Sequence, residues 1–226
     1  MTKRSVSKGA CEGCKAVLSK SAVTRHLANC PASASKPGAT VAGRTPLFHL
    51  LVEARGATMY WLHIEMPADA TLAALDAFLR RIWLECCGHL SMFRIDGVTY
   101  TARPKSESFG FRESEEKGLR SRVDSVLGPG DACVYSYDFG STTELVIRVA
   151  GASEGAPRGT RLLARNLPPD IACSVCDRTA TSVCTACMSD LDGWLCARCV
   201  KNHGCGEEYL LPVVNSPRVG VCGYSG

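Results

Sequence analysis

Apolar and polar positions give this 226-residue chain three textures, and the middle one, residues 44–168, has the pattern of a layered domain. Pro46 to Ala54 and Thr58 to Met66 are apolar runs rich in β-branched and aromatic residues, and Arg55-Gly56-Ala57 between them predicts a hairpin. Leu72, Leu75, Phe78, Leu79, Ile82 and Trp83 recur at helical spacing. They predict a helix over about 70–86, started by Asp69 or Thr71 and stopped at Gly88. Leu90 to Tyr100 reads as one returning strand. The polar stretch 101–122, with Glu113, Glu115, Glu116 and Lys117, reads as a surface loop. Ala132 to Phe139 and Thr143 to Val149 flank a turn at Gly140-Ser141-Thr142, and Thr160 to Asn166 is a further strand. A hairpin, a helix and further strands on the same sheet make an α+β layer, close to a β-grasp arrangement.

The flanks differ. Residues 31–43 are small residues with Pro and Gly, which cannot pack a core, so they predict a flexible linker holding the head, 1–30, loosely. Pro168-Pro169 opens the tail, 169–226. From 209 onward the only charge is Arg218, and Pro212 and Pro217 favour an extended course. An apolar tail of this kind is expected to dock on the middle domain.

Fourteen cysteines change the picture. The start, Met-Thr-Lys-Arg-Ser, has no apolar stretch behind it, and no run approaches the roughly 18–20 residues of a membrane span. A cytoplasmic protein without membrane contact is expected, and there closely spaced cysteines signal metal more than disulfides. Cys173-x2-Cys176, Cys184-x2-Cys187, Cys196-x2-Cys199 and His203-x-Cys205 are four ligand pairs within 33 residues. A Cys-x2-Cys turn aims two thiolates at one ion, and tetrahedral zinc takes four such ligands in a closed site. Two wirings are open. The sequential one groups Cys173, Cys176, Cys184 and Cys187, then Cys196, Cys199, His203 and Cys205. The cross-braced one groups Cys173, Cys176, Cys196 and Cys199, then Cys184, Cys187, His203 and Cys205. Cross-bracing is favoured, because the second sequential site would close four ligands within ten residues. Cys222 is an alternative to Cys205. Trp194 and Leu195 are the only bulky apolar residues near the third pair, so metal should hold this module together. The pattern resembles B-box and other cross-brace two-zinc modules.

The head carries a further set, Cys11-x2-Cys14-x11-His26-x3-Cys30. A helix over Ser21 to Asn29 would put His26 and Cys30 on one face. The module resembles single Cys-Cys-His-Cys zinc fingers, which brings the expected zinc count to three. Residues 1–44 hold eight Lys or Arg against Glu12, a net of +7. Residues 45–166 net −1 and 167–226 net −2. Counting thiolates and zinc ions moves the head to +6 and the tail to −5. Lys15, Lys20 and Arg25 on or beside the finger suit phosphate backbones. No aromatic residue precedes Phe48, so the head offers bases no stacking platform.

Thr71-Leu72-Ala73-Ala74-Leu75-Asp76-Ala77-Phe78-Leu79-Arg80-Arg81-Ile82-Trp83 and Tyr135-Ser136-Tyr137-Asp138-Phe139-Gly140 resemble the Ri-plasmid open-reading-frame-three-like family over residues 45–167. A subset of that family is similar from end to end, with an N-terminal finger, Trp83-Leu84-Glu85-Cys86-Cys87-Gly88-His89 and a tail like Leu211 to Arg218. The resemblance implies an α+β domain and a setting in plasmids and mobile elements, with no activity attached. Many members continue Tyr-Asp-Phe-Gly with Asp-x-Trp-x-His. This chain has Ser141, Thr143 and Leu145 there, which speaks against carrying over a site built on that Trp and His.

Chemistry in the middle domain is thin. Tyr137 and Asp138 read as a buried tyrosine and a turn aspartate. Adjacent Cys86 and Cys87, with His89, read as packing residues, because neighbouring cysteines chelate one ion poorly. His49 and His63 read as strand residues. The expected function is a non-enzymatic zinc protein, a binding module or adaptor whose basic finger contacts nucleic acid. Alternatives are a protein–protein adaptor acting through the C-terminal module, and a thiol enzyme using Cys86, Cys87 or a Tyr137–Asp138 pocket.

Overall fold

The computed structural model describes residues 7–32, 45–102, 116–156, 159–188 and 192–226. Residues 33–43 of the expected linker 31–43, and 103–115 of the expected loop 101–122, lie outside the described residues. The chain divides into two compact units: Met1–Leu79 with Leu90–Leu167, and Arg80–His89 with Pro168–Gly226.

The first unit is built on one sheet. Its strands are β1 (Lys8–Cys11), β2 (Val17–Ser19), β3 (Thr45–Ala54), β4 (Trp61–Pro67), β5 (Ser91–Ile95), β6 (Val98–Thr101), β7 (Glu116–Gly118), β8 (Ala132–Tyr137), β9 (Thr143–Gly155) and β10 (Arg161–Asn166). Their spatial order is β2-β1-β10-β4-β3-β9-β8-β5-β6-β7, antiparallel at every step but β6–β7. The hairpin β3–β4 turns at Gly56, whose φ of +79° suits a residue without a side chain. Helices α1 (Lys20–Asn29) and α2 (Leu72–Leu79) complete the described elements of this unit, apart from a short 3₁₀ turn at Val123–Ser125.

Helix α2 buries Leu72, Leu75, Phe78 and Leu79. Thr71 caps it, its hydroxyl accepting from the amide of Ala74 at 3.2 Å. Asp76 ties the helix to the sheet, because one carboxylate oxygen accepts from Ser91 of β5 at 2.6 Å and from the Tyr135 hydroxyl of β8 at 2.7 Å. Trp61, Leu62, His63 and Ile64 of β4 are all buried, so this strand is covered on both faces.

The head departs from expectation. It is joined to the sheet through β1, with Gly9 opposite Asn166 and Cys11 opposite Ala164 on β10. Cys11, Val23, Leu27 and Cys30 share one apolar cluster with Trp61, Leu163 and Ala164. A Cβ at residue 9 would run into the Trp61 ring and the Arg165 carbonyl, so β1 holds this register because residue 9 is glycine. The shift in β10 register between Leu162 and Ala164 frees the Leu163 carbonyl to accept from the amide of Glu12 at 2.8 Å.

Two further differences are local. Leu90 to Tyr100 is not one strand: Asp96 (φ +46°) and Gly97 (φ +81°) turn the chain between β5 and β6. Asp-Gly between apolar runs is a strong hairpin signal. Within the expected loop 101–122, Glu116–Gly118 forms β7 beside β6.

In the second unit a π-helical turn, Arg80–Leu84, continues α2 and closes through the amide of Glu85 on the Arg80 carbonyl at 2.9 Å. Strands β11 (Ser182–Cys184), β12 (Trp194–Leu195) and β13 (Leu210–Pro212) form a small sheet with β11 central. The tail beyond β13 is fixed to the turn after α2: the Ser216 hydroxyl donates to the Trp83 carbonyl at 2.7 Å. No helix among the described residues is long and apolar enough to cross a membrane.

Candidate metal centres

None of the fourteen cysteines is in a disulfide. Thirteen of them, with three histidines, gather into four sets of four whose ligand atoms lie within 4.8 Å of one another. Tetrahedral zinc, with bonds of about 2.3 Å to sulfur and about 2.0–2.1 Å to nitrogen, separates its ligand atoms by about 3.6–3.8 Å.

The head set is Cys11, Cys14, His26 and Cys30. The turn from Cys11 to Cys14 is closed by the amide of Lys15 on the Cys11 carbonyl at 2.8 Å, with Lys15 at φ +62°. Val23 and Leu27 are the buried face of α1, which presents His26 near its end and Cys30 just past it. The Cys11 and Cys30 sulfurs are 4.0 Å apart, and Cys14 Sγ is 3.3 Å from His26 Nε2.

The tail sets follow the cross-braced wiring. Cys173, Cys176, Cys196 and Cys199 form one, Cys184, Cys187, His203 and Cys205 the other. Cys176 lies 3.7 Å from both Cys196 and Cys199. Cys187 lies 3.6 Å from both His203 Nε2 and Cys205. The crossing arises because β11 pairs with β12 and with β13, which brings the first and third ligand pairs to one end and the second and fourth to the other. Cys205 keeps its place in the second set, and Cys222 does not replace it.

The sulfurs are electrically prepared for a cation. Burial opposes the Cys173 thiolate, yet the backbone amides of Val175, Cys196 and Cys176 outweigh it and bring the thiol down to about 6. Burial likewise opposes Cys184, which His203 and the amides of Cys187 and Ala186 bring down to about 7. The amides of Cys199 and Arg198 lower Cys196 against burial. Their neighbours take the other role. Hydrogen bonds with Cys205 and Cys184 push Cys187 up to about 12, and a hydrogen bond with Cys196 followed by burial does the same to Cys199. A dication removes that repulsion and lets the whole set ionise.

The fourth set is Cys86, Cys87, His89 and Cys222. Reading Cys86, Cys87 and His89 as packing residues is corrected here: Cys87 and Cys222 are exposed, and Cys87 Sγ sits 2.9 Å from His89 Nε2 and 3.6 Å from Cys222 Sγ. The motif sets use ten cysteines, leaving Cys86, Cys87, Cys133 and Cys222. That remainder, with a histidine beside two of its members, was the available signal. Cys133 stands apart, its thiol pushed up to about 12 by burial.

Tyr137, Asp138, His49 and His63 join none of these sets. Tyr137 is fully buried, and Asp138, at φ +63°, accepts from the amide of Gly140 at 3.0 Å as a turn residue does. His49 Nε2 and His63 Nδ1 are 2.8 Å apart. Burial, then the charges of His49 and Lys20, takes His63 down to about 3. Burial lowers His49 too, against the pull of Glu65. His63 therefore stays neutral in the fold through the range where an unfolded histidine, near 6.5, takes a proton, and it lowers stability as pH falls through that window. An NMR titration should find the His63 ring shifts flat from about pH 7 to pH 4. A midpoint near the ordinary histidine value would contradict this environment.

A sheet that is antiparallel but for one step, two α-helices among the described residues and, over the two units, four Cys/His sets that could hold metal define an α+β protein with candidate metal sites. The family model described as plasmid pRiA4b ORF-3-like protein matches residues 50–172, and the chain belongs to that family. No curated protein matches it. Among solved structures, a protein of unknown function from Methanosarcina mazei Go1, MM3350, is 15% identical, covering 53% of this chain and 67% of its own at a TM-score of 0.44.

Proposed function

We propose that this protein is a non-enzymatic zinc protein, a binding module or adaptor in which three zinc ions complete the head and the tail. The observation that carries the reading is the donor count. Each motif set supplies four sulfur or nitrogen ligands, which fill a tetrahedral zinc and leave no position for an activated water or substrate. Such an ion shapes a surface instead of driving a reaction. The central layer is read as β-grasp-like, from the succession of hairpin β3–β4, helix α2 and returning strands in one sheet.

A protein partner at the tail module is supported by what that module exposes. Val175, between the first two cysteines, is 69% exposed, and Tyr209 is 45% exposed. Apolar side chains held out on rigid, metal-bound turns suit a protein surface. Val175→Asp should abolish co-purification of a native partner with the full chain while zinc content stays unchanged. Retention of the partner by this variant would refute the tail as the contact.

Nucleic acid at the head is the second reading, supported by the +7 charge of residues 1–44 and by exposed Lys8 and Arg25. Part of that charge is spent internally, Lys15 on Glu12 at 2.6 Å and Lys20 on Glu53 at 2.5 Å. In a salt titration of the full chain with duplex and single-stranded DNA and RNA, this reading requires that Lys8→Gln with Arg25→Gln lower the log–log slope by about two. An unchanged slope, or no binding, leaves the protein partner as the function.

A further inference from the structure

We infer that Cys86, Cys87, His89 and Cys222 form a fourth metal site, of the zinc class, which fastens the C-terminal tail to the turn after α2. All four residues belong to the second unit. Their donors, three sulfurs and one nitrogen, match the head set and one tail set in kind. His89 Nε2 is 3.2 Å from Cys222 Sγ and 2.9 Å from Cys87 Sγ, and Cys86 and Cys87 sulfurs are 3.3 Å apart. These separations sit slightly inside the spacing expected around tetrahedral zinc, and a small outward adjustment of exposed side chains reaches it.

Both strands of the site are shaped for ligation. On one side the π-helical turn is followed by Glu85, whose Oε1 accepts from the amide of Gly88 at 2.6 Å, while Arg80 donates to Glu85 at 2.8 Å and to the His89 carbonyl at 2.7 Å. This frame grips the loop 86–89 at both ends. It turns at Gly88, at φ +75°, so that adjacent cysteines both reach one point. On the other side the tail is fixed before it arrives: Ser216 donates to the Trp83 carbonyl, and its hydroxyl accepts from the amide of Arg218 at 2.9 Å. Cys222 then stands at φ +50°, between Gly220 and Gly223, both also at positive φ. A cysteine in the left-handed region is strained, and such strain persists where the surroundings hold it. A bond from its sulfur to a metal is such a hold.

The charge is complementary as well. Arg218 is fully buried, and its Nη2 donates to Cys86 Sγ at 3.5 Å. Three thiolates on a divalent ion carry a net −1, which suits a buried guanidinium beside one of the sulfurs. The same contact fixes the first cysteine as neighbours of metal ligands commonly do. Because two of its ligands, Cys87 and Cys222, are exposed, against one in the head set and none in the tail sets, this ion is the most open to exchange, and a soft chelator should remove it before the others.

Native mass spectrometry of the full chain, loaded with zinc and then titrated with a chelator, tests the site. Four ions per chain are expected in the parent and three in Cys222→Ser, with the fourth ion the first to leave the parent. His89→Gln, changed at the other strand of the site, should also give three. Cadmium NMR of the parent, which needs no variant to fold, should give four resonances, three of them unchanged in Cys222→Ser. Three ions in the parent, or four in both variants, would overturn the site. Full retention of ions in Cys173, Cys184 or head variants, with the loss in Cys222→Ser still seen, would count against the three-zinc reading alone.

Discussion

Replacing Cys196 with serine will leave β11, β12 and β13 without stable structure. The small sheet has little apolar cover of its own: Ala180, Val183 and Leu195 are buried in it, with Val219 and Tyr224 from the tail. Structural zinc in small modules supplies about 10–16 kcal/mol of folding free energy, and whole domains are stable by about 5–15 kcal/mol. Losing one thiolate from the first tail set therefore removes more than the surrounding core can replace. Cross-bracing spreads the damage, because β11 lies between the two sets and is held through both. Amide exchange should show protection lost over Ser182–Cys184, Trp194–Leu195 and Leu210–Pro212, with at least one zinc gone. Cys133→Ala, which removes a buried thiol outside every set, should keep the full metal count. Undiminished protection in Cys196→Ser would show that the apolar residues suffice.

The second large effect is expected at Trp61. This side chain is fully buried between β4 and the head, in one cluster with Cys11, Val23, Leu27 and Cys30. Its indole Nε1 donates to the Ser7 hydroxyl at 2.8 Å, and its amide donates to Asn166 Oδ1 at 3.1 Å. Trp61→Ala should destabilise the first unit by about 3–5 kcal/mol, the range for emptying an aromatic core position. The head should loosen from β10 while its metal set, which needs only local turns, still assembles. Chemical denaturation should show the lowered stability, and the NMR signals of β1 should broaden while the head keeps its zinc. A loss below about 1 kcal/mol would mean that the head does not depend on this contact.

These two positions also mark what could be read from the amino acids. The Cys-x2-Cys spacings pointed to the pairs that the fold gathers into sets, because two cysteines three positions apart are a local device, and loop length favoured the cross-braced grouping. Leu72, Leu75 and Phe78 announced α2 through period alone, and Gly56 announced the first hairpin. Gly9 and Trp61 announced nothing. Their meaning lies in the pairing of β1 with β10, more than 150 residues apart, and small residues after a finger looked like a tether. The Asp96-Gly97 turn is legible as a hairpin signal, but the apolar run on either side of it reads as one continuous strand. Cys222 shows the limit from another side. Its partners lie 133 to 136 positions away, so spacing gives no hint of them, and only the fold makes a lone tail cysteine into a neighbour of Cys87.

The central claim is that these sulfur and imidazole sets enclose their ions completely. Zinc K-edge X-ray absorption on the purified full chain measures that directly. The account predicts four ligands per zinc, sulfur at about 2.3 Å and a smaller share of nitrogen at about 2.0–2.1 Å, with no oxygen shell. Oxygen in the first shell, or protein that folds without zinc, would contradict it.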